Sequence, residues 1–282
     1  MKARLAVVVT AAVAAASGCF PWRAPERIHE YTDLRKAAAE AQQATAVNLY
    51  GQNLDLSELP PELTTLPNLT RLCLRKNRIN VLSPQIARLT QLEWLDLGDT
   101  QLTFLPEEIG ALTNLKTLYL NDNALTSLPA SIGRLTALRY LNLDRNQLTA
   151  LPPEIGNLQA LRWLRLNNNA LTKLPPEIGT LTHLERLYLR RNRLVELPQE
   201  LANLSKLTDL SLTGNQIASL PEWITQLTNL QRLDLEENGL ERLPQDIATL
   251  KNLRWLRLER NPLTEDEKRR LKEALPRCTI IF

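Results

Sequence analysis

The sequence predicts an α/β solenoid built from one repeated unit, and three observations carry this prediction. Leucines recur at fixed, unequal spacings within each unit, and the aromatic content is only 5% although the hydrophobic content is 44%. A polar residue recurs every 23 residues, at Asn77, Thr100, Asn123, Asn146, Asn169, Asn192, Asn215, Asn238 and Asn261. A strict period in this range is typical of a solenoid, which grows in one dimension and needs no division into domains.

The unit at residues 161–183 shows how one repeat is built. Leu164 and Leu166 are spaced by two, which predicts a short strand whose leucines face inward while Trp163 and its alternate neighbours face outward. After Leu174 a proline and a wider spacing of apolar residues favour an extended or helical-turn return segment. The chain must therefore turn within each repeat.

A single repeat cannot fold alone. Burying its seven apolar side chains yields roughly 10 to 20 kcal/mol, whereas ordering the backbone of 23 residues costs roughly 1 to 2 kcal/mol each. Stacking against neighbours supplies the missing burial. We expect the recurring asparagine to bond backbone groups of its own turn and of the next repeat, and Thr100, with one hydroxyl donor, to make a weaker rung.

The pattern L-x-x-L-x-L-x-x-N-x-L-x-x-L-P-x-x-I resembles the leucine-rich repeat, in the 23-residue variety with a Leu-Pro step. The resemblance covers roughly residues 44–282 in nine frames at one spacing. It implies a curved α/β solenoid with a parallel sheet on its concave side and helical N- and C-terminal caps. It also implies binding of other proteins along the concave strands.

The N-terminal segment has the features of an export signal. Lys2 and Arg4 precede an apolar run over residues 5–16, which is too short to span a bilayer, so residues 1–18 are predicted to be a signal peptide. The run ends in Ala-Ser-Gly-Cys, which resembles the box of bacterial lipoproteins and implies a lipid on Cys19. An ordinary cleavage site near Ala16 is the alternative.

This N-terminus also predicts where the protein resides. Residues 19–31, rich in proline and charge, are interpreted as a tether between lipid and domain. The resemblance implies a bacterial cell envelope protein anchored to a membrane, and Phe20 after the cysteine favours the outer membrane where one is present.

Charge and cysteine content exclude two further classes. Loss of Lys2 and Arg4 with the signal leaves 32 basic residues against 31 acidic ones, so the dense positive surface needed for nucleic-acid binding is absent. Cys73 and Cys278 would lie roughly 40 Å apart at about 4.8 Å per strand, which excludes a disulfide between them. We expect a free thiol at Cys73, on an outward strand position, or else a bridge to another chain.

The remaining chain is predicted to be one repeat domain over residues 32–282, with the repeats over about 47–262. The N-terminal cap, residues 32–46, is expected to contain a helix capped by Thr32 or Asp33 and reaching about Gln43. In the first repeat Gln52 replaces the ladder asparagine, and two extra residues precede Leu59.

The C-terminal cap is predicted over residues 263–282. Thr264 and Glu267 have the spacing of a capping box, so a helix is expected to begin there and to end near Leu275, before Pro276. An extended segment from Cys278 onward would then cover the open end of the solenoid.

No catalytic constellation is visible in the sequence. The two histidines, His29 in the tether and His183 at a repeat edge, have no companion residues in a nucleophile or metal-ligand spacing. We therefore expect neither enzymatic activity nor a cofactor or metal.

Aromatic residues occupy outward positions on five successive strands, and these are Trp94, Tyr119, Tyr140, Trp163 and Tyr188. We predict that they form a continuous ribbon along the concave face and bind the partner together with Arg165, Arg186 and Arg190. The strands that follow are expected to be more acidic, through Asp209, Asp234, Glu236 and Glu237. Such a mixture of aromatic residues and arginine is typical of binding hot spots and would suit an acidic segment.

Three functions remain open at this point. The first is a cell-envelope recognition module for a protein or peptide. The second is a lipoprotein that binds glycan or peptidoglycan with the same aromatic residues, and the third is a structural spacer. Cross-strand packing that merely stabilises the sheet is the alternative interpretation of the aromatic series.

Overall fold

The computed structural model describes residues 30–54 and 59–282 of the chain. Twelve strands form one parallel sheet in strict sequence order. The strands β1 to β12 are Glu30–Tyr31, Ala46–Asn48, Arg71–Cys73, Trp94–Asp96, Thr117–Tyr119, Tyr140–Asn142, Trp163–Arg165, Arg186–Tyr188, Asp209–Ser211, Arg232–Asp234, Trp255–Arg257 and Thr279–Ile281. The predicted curved α/β solenoid with a parallel concave sheet is confirmed.

The register of the sheet follows the 23-residue period. Trp163, for example, pairs with Tyr140 on one side and with Arg186 on the other. The central residue of each such strand points into the core, and Leu141, Leu164 and Leu187 are all fully buried. One continuous hydrophobic core runs the length of the solenoid because each layer of leucines is covered by the next.

The return segments on the convex side are short 3₁₀ helices. They are Pro84–Arg88, Glu107–Ala111, Ala130–Arg134, Pro153–Asn157, Pro176–Thr180, Gln199–Asn203, Glu222–Gln226 and Gln245–Thr249. Except at the first, where Ser83 caps the helix, the N-cap residue is a proline. An isoleucine or leucine in the middle of each helix is buried, which ties the return segment to the core.

Four successive return segments carry a glycine at a point where the next segment approaches closely. A Cβ at Gly110, Gly133, Gly156 or Gly179 would lie 2.3 to 2.7 Å from a backbone carbonyl oxygen of the following repeat. Later repeats have Ala202, Thr225 and Ala248 at the equivalent position. The glycines therefore permit a backbone spacing on the convex side that a Cβ would forbid.

The recurring asparagines bond backbone groups of two repeats, but the second repeat that each one contacts is the preceding one and not the next one, which corrects that part of the prediction. Asn146 donates through Nδ2 to the carbonyl of Leu120 in the preceding repeat at 2.9 Å and to that of Leu143 in its own repeat at 3.0 Å. Its Oδ1 accepts from the backbone N–H of Leu125 at 3.1 Å. The amide thus satisfies backbone groups of two repeats at the point where the chain leaves the strand.

Thr100 makes a rung with different hydrogen bonds, and its lower strength stays a prediction. Its hydroxyl donates within its own repeat to the carbonyl of Leu97 at 2.8 Å and forms a second hydrogen bond with Asn123. The N–H of Ile79, which elsewhere would meet an asparagine Oδ1, donates instead to the backbone carbonyl of Thr100 at 2.9 Å. This rearrangement coincides with a positive φ of 66° at Gln101.

The N-terminal cap differs from the prediction in two respects. Glu30 and Tyr31, which were interpreted as part of the tether, form β1 and pair with Ala46 and Val47. The pairing lengthens the sheet by one strand and buries Tyr31. The rest of the predicted tether, the signal peptide, Cys19 and His29 lie outside the described residues.

The first helix, α1 (Leu34–Ala39), begins as predicted but ends early. Asp33 caps it by accepting from two backbone N–H groups, and the helix stops at Glu40 rather than near Gln43. A second short helix, α2 (Pro61–Thr64), occupies the return segment of the first repeat. The first repeat is therefore the only one of the described part whose return segment is α-helical.

The C-terminal cap consists of α3 (Glu265–Ala274) and β12, in agreement with the prediction. Thr264 Oγ1 accepts from the N–H of Glu267 at 3.2 Å. The reciprocal half of a capping box is absent, because the Glu267 carboxylate accepts from the N–H of Leu243 at 2.9 Å and from Arg270. Glu267 thereby attaches the cap to the last repeat.

Two further findings concern cysteines and membrane segments. Cys73 and Cys278 are both thiols. The thiol expected at Cys73 is therefore found, and it is buried although it occupies an outward strand position. In the described part of the chain, every helix is too short or too polar to cross a bilayer.

Candidate functional site

The sheet places the predicted aromatic residues on its outward face. Trp94, Tyr140 and Trp163 are the first residues of β4, β6 and β7, whereas Tyr119 and Tyr188 are the last residues of β5 and β8. The residue between these two positions points into the core. The aromatic side chains are therefore staggered along the strand direction by two residues.

Four of the five rings form a contact series. The ring centroids of Trp94 and Tyr119 lie 5.8 Å apart, those of Tyr119 and Tyr140 5.0 Å, and those of Tyr140 and Trp163 5.8 Å. All three pairs are tilted or edge-on, which is the arrangement that ring quadrupoles favour. Tyr119 is only 7% exposed and serves mainly as packing, whereas the other three are half-buried.

The ribbon of five rings is interrupted by a cation, which corrects the prediction of ring continuity. Within the described residues the ring contacts end at Trp163, where the guanidinium of Arg186 lies 4.3 Å from the ring centroid. Tyr188 is covered in turn by Arg165 at 5.5 Å. The surface therefore continues as alternating cations and rings, an arrangement stabilised by the negative face of each ring.

A third stacked arginine was missed by the sequence analysis. Arg71 lies 5.0 Å over the ring of Trp94, at the opposite end of the series. The signal was available, because the 23-residue offset pairs Arg71 with Trp94 directly. We define the concave surface as Arg71, Trp94, Tyr119, Tyr140, Trp163, Arg186, Tyr188 and Arg165.

Arg165 is held by a buried carboxylate. It pairs with Asp144 at 2.6 Å, and the Asp144 side chain is 3% exposed. Burial alone would lower the pKa of Arg165, but the charge of Asp144 and its hydrogen bond raise it. The second oxygen of Asp144 accepts from the backbone N–H of Asn167 at 2.8 Å. Arg165 is thus fixed in position over Tyr188.

A second ion-pair group lies beside the first. Arg145 donates to Asp122 through Nε and Nη2, and Arg75 approaches the same carboxylate at 3.4 Å. Burial by itself would raise the pKa of Asp122, but hydrogen bonds from Arg145 and Asn121 and the two arginine charges outweigh it and lower the pKa. Asp122 is consequently ionised at neutral pH.

The strands after β8 are less acidic than the sequence suggested. Asp209 lies between Arg232 at 3.3 Å and Arg186 at 3.8 Å. Arg257 pairs with Asp234 and Glu236 at 3.5 and 2.6 Å. Glu237 lies 3.7 Å from Arg260. Basic residues on neighbouring strands therefore neutralise the predicted acidic surface.

The remaining predicted residues are placed as follows. Arg190 lies just beyond β8 and is exposed, and His183 is exposed at the edge of its repeat. Trp255 is 49% exposed on β11, away from the ring series. Among the described residues no group of three or more His, Cys, Asp or Glu side chains could hold a metal ion.

Two leucine-rich repeat families match this chain. The family described as "Leucine-rich repeat region" matches residues 131–216, and the family described as "Leucine rich repeat" matches residues 90–148 and 220–263. Neither description is that of an enzyme. Comparison with curated proteins gives no match.

Solved structures with the same fold are numerous. A leucine-rich repeat protein of Leptospira interrogans is 27% identical with a TM-score of 0.66, and the match covers 90% of this chain and 100% of that one. An internalin of Listeria monocytogenes is 25% identical with a TM-score of 0.75, over 88% of this chain and 70% of the internalin.

A eukaryotic structure is also similar. The plant peptide hormone receptor RGFR1, in complex with RGF2, is 27% identical with a TM-score of 0.56, over 73% of this chain and 42% of the receptor. The parallel sheet, the asparagine ladder and the matching families agree with one another. The chain therefore belongs to the leucine-rich repeat proteins.

Proposed function

We propose that this protein is a non-enzymatic recognition module of the bacterial cell envelope that binds a protein or peptide on its concave surface. The alternation of rings and arginines from Arg71 to Tyr188 carries the proposal. Aromatic residues and arginine dominate binding hot spots, because they offer a large contact area together with directional donors. Here they are held in place by ring contacts and ion pairs before any partner arrives.

The comparisons support a protein partner in general. Similar structures include an internalin and a receptor for a peptide hormone. A rigid, preorganised surface reduces the entropy lost when a partner binds. The solenoid supplies that rigidity, since every strand of the surface is paired on both sides.

A glycan ligand fits this surface less well. Sugars stack on exposed aromatic faces, but the guanidinium groups of Arg71, Arg186 and Arg165 lie over the rings of Trp94, Trp163 and Tyr188. A sugar would have to displace these cations. A glycan array that captures the protein, with loss of capture in Trp163→Ala, would favour this second function over ours.

The envelope location rests on the N-terminal sequence. One acyl chain anchors a protein only marginally and two anchor it stably, and lipoprotein processing supplies at least two. Cys19→Ala should therefore release the protein from the membrane fraction and abolish labelling by a fatty-acid probe. Unchanged membrane partition of this variant would contradict the lipid anchor without affecting the proposal for the concave surface.

Binding is tested by crosslinking pull-down from an envelope fraction with the wild-type protein, three variants of the concave surface and one control variant. Trp163→Ala and Tyr188→Ala should each weaken capture by about 2 kcal/mol or more, and the triple variant with Arg186→Glu should abolish it. Trp255→Ala is the matched control, because it removes an exposed tryptophan at the same strand position of β11, four strands away from Trp163 and outside the ring series. Retention of partners at wild-type affinity by the triple variant would refute the proposed surface.

A further inference from the structure

A small polar cavity lies where β6, β7 and β8 end, next to the concave surface. Its volume is about 240 Å³. Four arginines and one carboxylate dominate its lining, together with two asparagines, and these residues are Asp144, Arg145, Arg165, Asn167, Asn168, Arg190 and Arg191. Drug-sized ligands occupy roughly 300 to 1,000 Å³. The cavity is therefore smaller than a site for a drug-sized ligand and large enough for the head group of a charged side chain.

The positive charge of the cavity is only partly neutralised. Arg165 pairs with Asp144, and Arg145 pairs with Asp122. Arg190 and Arg191 are exposed and form no ion pair with any described residue. Two guanidinium groups thus remain available for an anion that the protein itself does not supply.

Asn167 adds a neutral donor to these two charges. Its side chain lines the cavity and the residue is 8% exposed. Its Oδ1 accepts from the backbone N–H of Arg190 at 2.9 Å, which fixes the amide orientation. None of the hydrogen bonds among the described residues uses its Nδ2 group. This amide donor lines the cavity and is available to an oxyanion bound there.

The unused hydrogen-bonding groups that we identify in this cavity are therefore donors. The carboxylate of Asp144 is already occupied by Arg165 and the Asn167 backbone. A ligand that satisfies Asn167, Arg190 and Arg191 together must present several acceptors and negative charge. Carboxylate and phosphate groups have this chemistry, and arginine binds both with paired hydrogen bonds.

The cavity has a defined distance from the ring series. Trp163 and Asn167 are separated by four residues of the same chain segment, which corresponds to roughly 13 Å at about 3.3 Å per residue. Arg165 connects the two regions, because it lies over Tyr188 and lines the cavity. An extended partner segment covers the same 13 Å in about four residues.

We infer that the cavity binds the oxyanion of an acidic side chain of the partner, about four residues from an apolar residue that packs on the ring of Tyr140, the sheet neighbour of Trp163. The inference rests on the proposed function of the concave surface and adds to it the charge and spacing of the bound segment. It defines the partner as an extended peptide segment with an apolar anchor and a glutamate, aspartate or phosphorylated residue.

The test uses the full chain and a random peptide display library. Selected sequences should carry an acidic residue three to five positions from an aromatic or aliphatic one. Synthetic peptides blocked at both ends, with a leucine or tryptophan anchor and one glutamate at spacings of two to six, should bind best at about four. Replacement of the glutamate by glutamine should weaken binding at least tenfold, and added salt should weaken only the glutamate peptides.

Three protein variants locate the anion. Arg190→Glu with Arg191→Glu, and separately Asn167→Asp, should each reduce affinity for the glutamate peptide at least tenfold while leaving the glutamine peptide unaffected. The Asn167→Asp variant retains the acceptor for the Arg190 N–H, so we expect it to fold like the wild type. Arg193→Glu is the matched control, since it reverses an exposed charge that does not line the cavity. A phosphoserine peptide compared with the glutamate peptide decides between phosphate and carboxylate.

The outcomes separate this inference from the proposed function. The anion site would be overturned, and the concave surface left intact, by one combination of results. In it the selected peptides bind Trp163→Ala more weakly than the wild type, show no preference for an acidic residue, and bind the arginine variants with unchanged affinity. Failure of the wild-type chain to enrich any peptide would overturn both.

Discussion

The asparagine ladder allows a stability effect to be derived bond by bond at Asn169. Its Nδ2 donates to the carbonyls of Leu143 and Leu166, both at 3.0 Å, and its Oδ1 accepts from the N–H of Leu148 at 3.0 Å. The Leu143 carbonyl also accepts from Asn146, and the Leu166 carbonyl also accepts from Asn192. Asn169→Ala therefore leaves one backbone group, the Leu148 N–H, without its partner.

The expected cost follows from that single group. A buried donor without a partner costs about 1 to 3 kcal/mol, and the two lost carbonyl bonds add a smaller amount because each acceptor keeps its second donor. We expect Asn169→Ala to lower the free energy of unfolding by about 2 to 3 kcal/mol. Urea denaturation followed by circular dichroism measures this value, and Gln147→Ala, at an exposed residue next to Leu148 in the preceding repeat, is the matched control.

The variant Asn169→Asp sharpens the test. The carboxylate would retain the bond from Leu148 but face two carbonyl oxygens, so its folded-state pKa should rise above the unfolded value of about 3.9. A carboxyl group with a raised pKa makes the protein more stable as the pH falls through that value. An Asn169→Ala protein within about 0.5 kcal/mol of the wild type, the range of ordinary surface substitutions, would refute the ladder as an energetic element.

The remaining predictions concern other positions of the solenoid. Thr100→Asn should be neutral or stabilise by about 1 to 2 kcal/mol, because it restores the missing donor and releases the positive φ of Gln101; a loss of stability would contradict this. Gly156→Ala should destabilise by at least about 1 kcal/mol, since its Cβ would lie 2.6 Å from the Glu177 carbonyl oxygen, and Ala202→Gly serves as the control in the same thermal melts. Burial raises the pKa of Cys278 to about 11, so the rate of its alkylation by iodoacetamide should be low at pH 8 and should increase toward pH 11. The free energy of unfolding that the neutral thiol contributes should decrease as the pH rises above the unfolded pKa of about 8.5. Rapid alkylation of the native protein at pH 8 would contradict this prediction.

The sequence predicted the structural features that depend on the 23-residue period and on the hydrophobic pattern. The strands, the core leucines and the ladder follow from spacing alone, because each repeat occupies the same environment. The period also contained the pairing of Arg71 with Trp94, although that contact was missed. Structural features formed by residues outside the repeats could not be predicted from the period. Glu30 and Tyr31 precede the first repeat and form a strand only because the edge of β2 is available.

Side-chain conformation accounts for the other differences. An outward position predicts the side on which a residue lies but not its exposure, and Cys73 is buried there. Asp209 and Glu236 were counted as acidic surface, whereas arginines from adjacent strands reach them. Long, flexible side chains decide such pairings, and their reach of one or two strands is not encoded in the position of a single residue.

The glycines on the convex side occur in the same four repeats that carry the ring series. Gly110, Gly133, Gly156 and Gly179 follow β4, β5, β6 and β7. Strand spacing on the concave side is fixed by hydrogen bonding at about 4.8 Å, so the local radius of the arc depends on how closely the return segments approach.

Close approach behind the rings should therefore reduce the curvature of the arc over Trp94 to Trp163, and the later repeats, which carry a Cβ at the equivalent position, should curve more. The geometry offered to a partner can thus be adjusted by residues that never touch it. For protein engineering, a single methyl group on the convex side of the solenoid becomes a means of changing the distance between aromatic rings on its concave side.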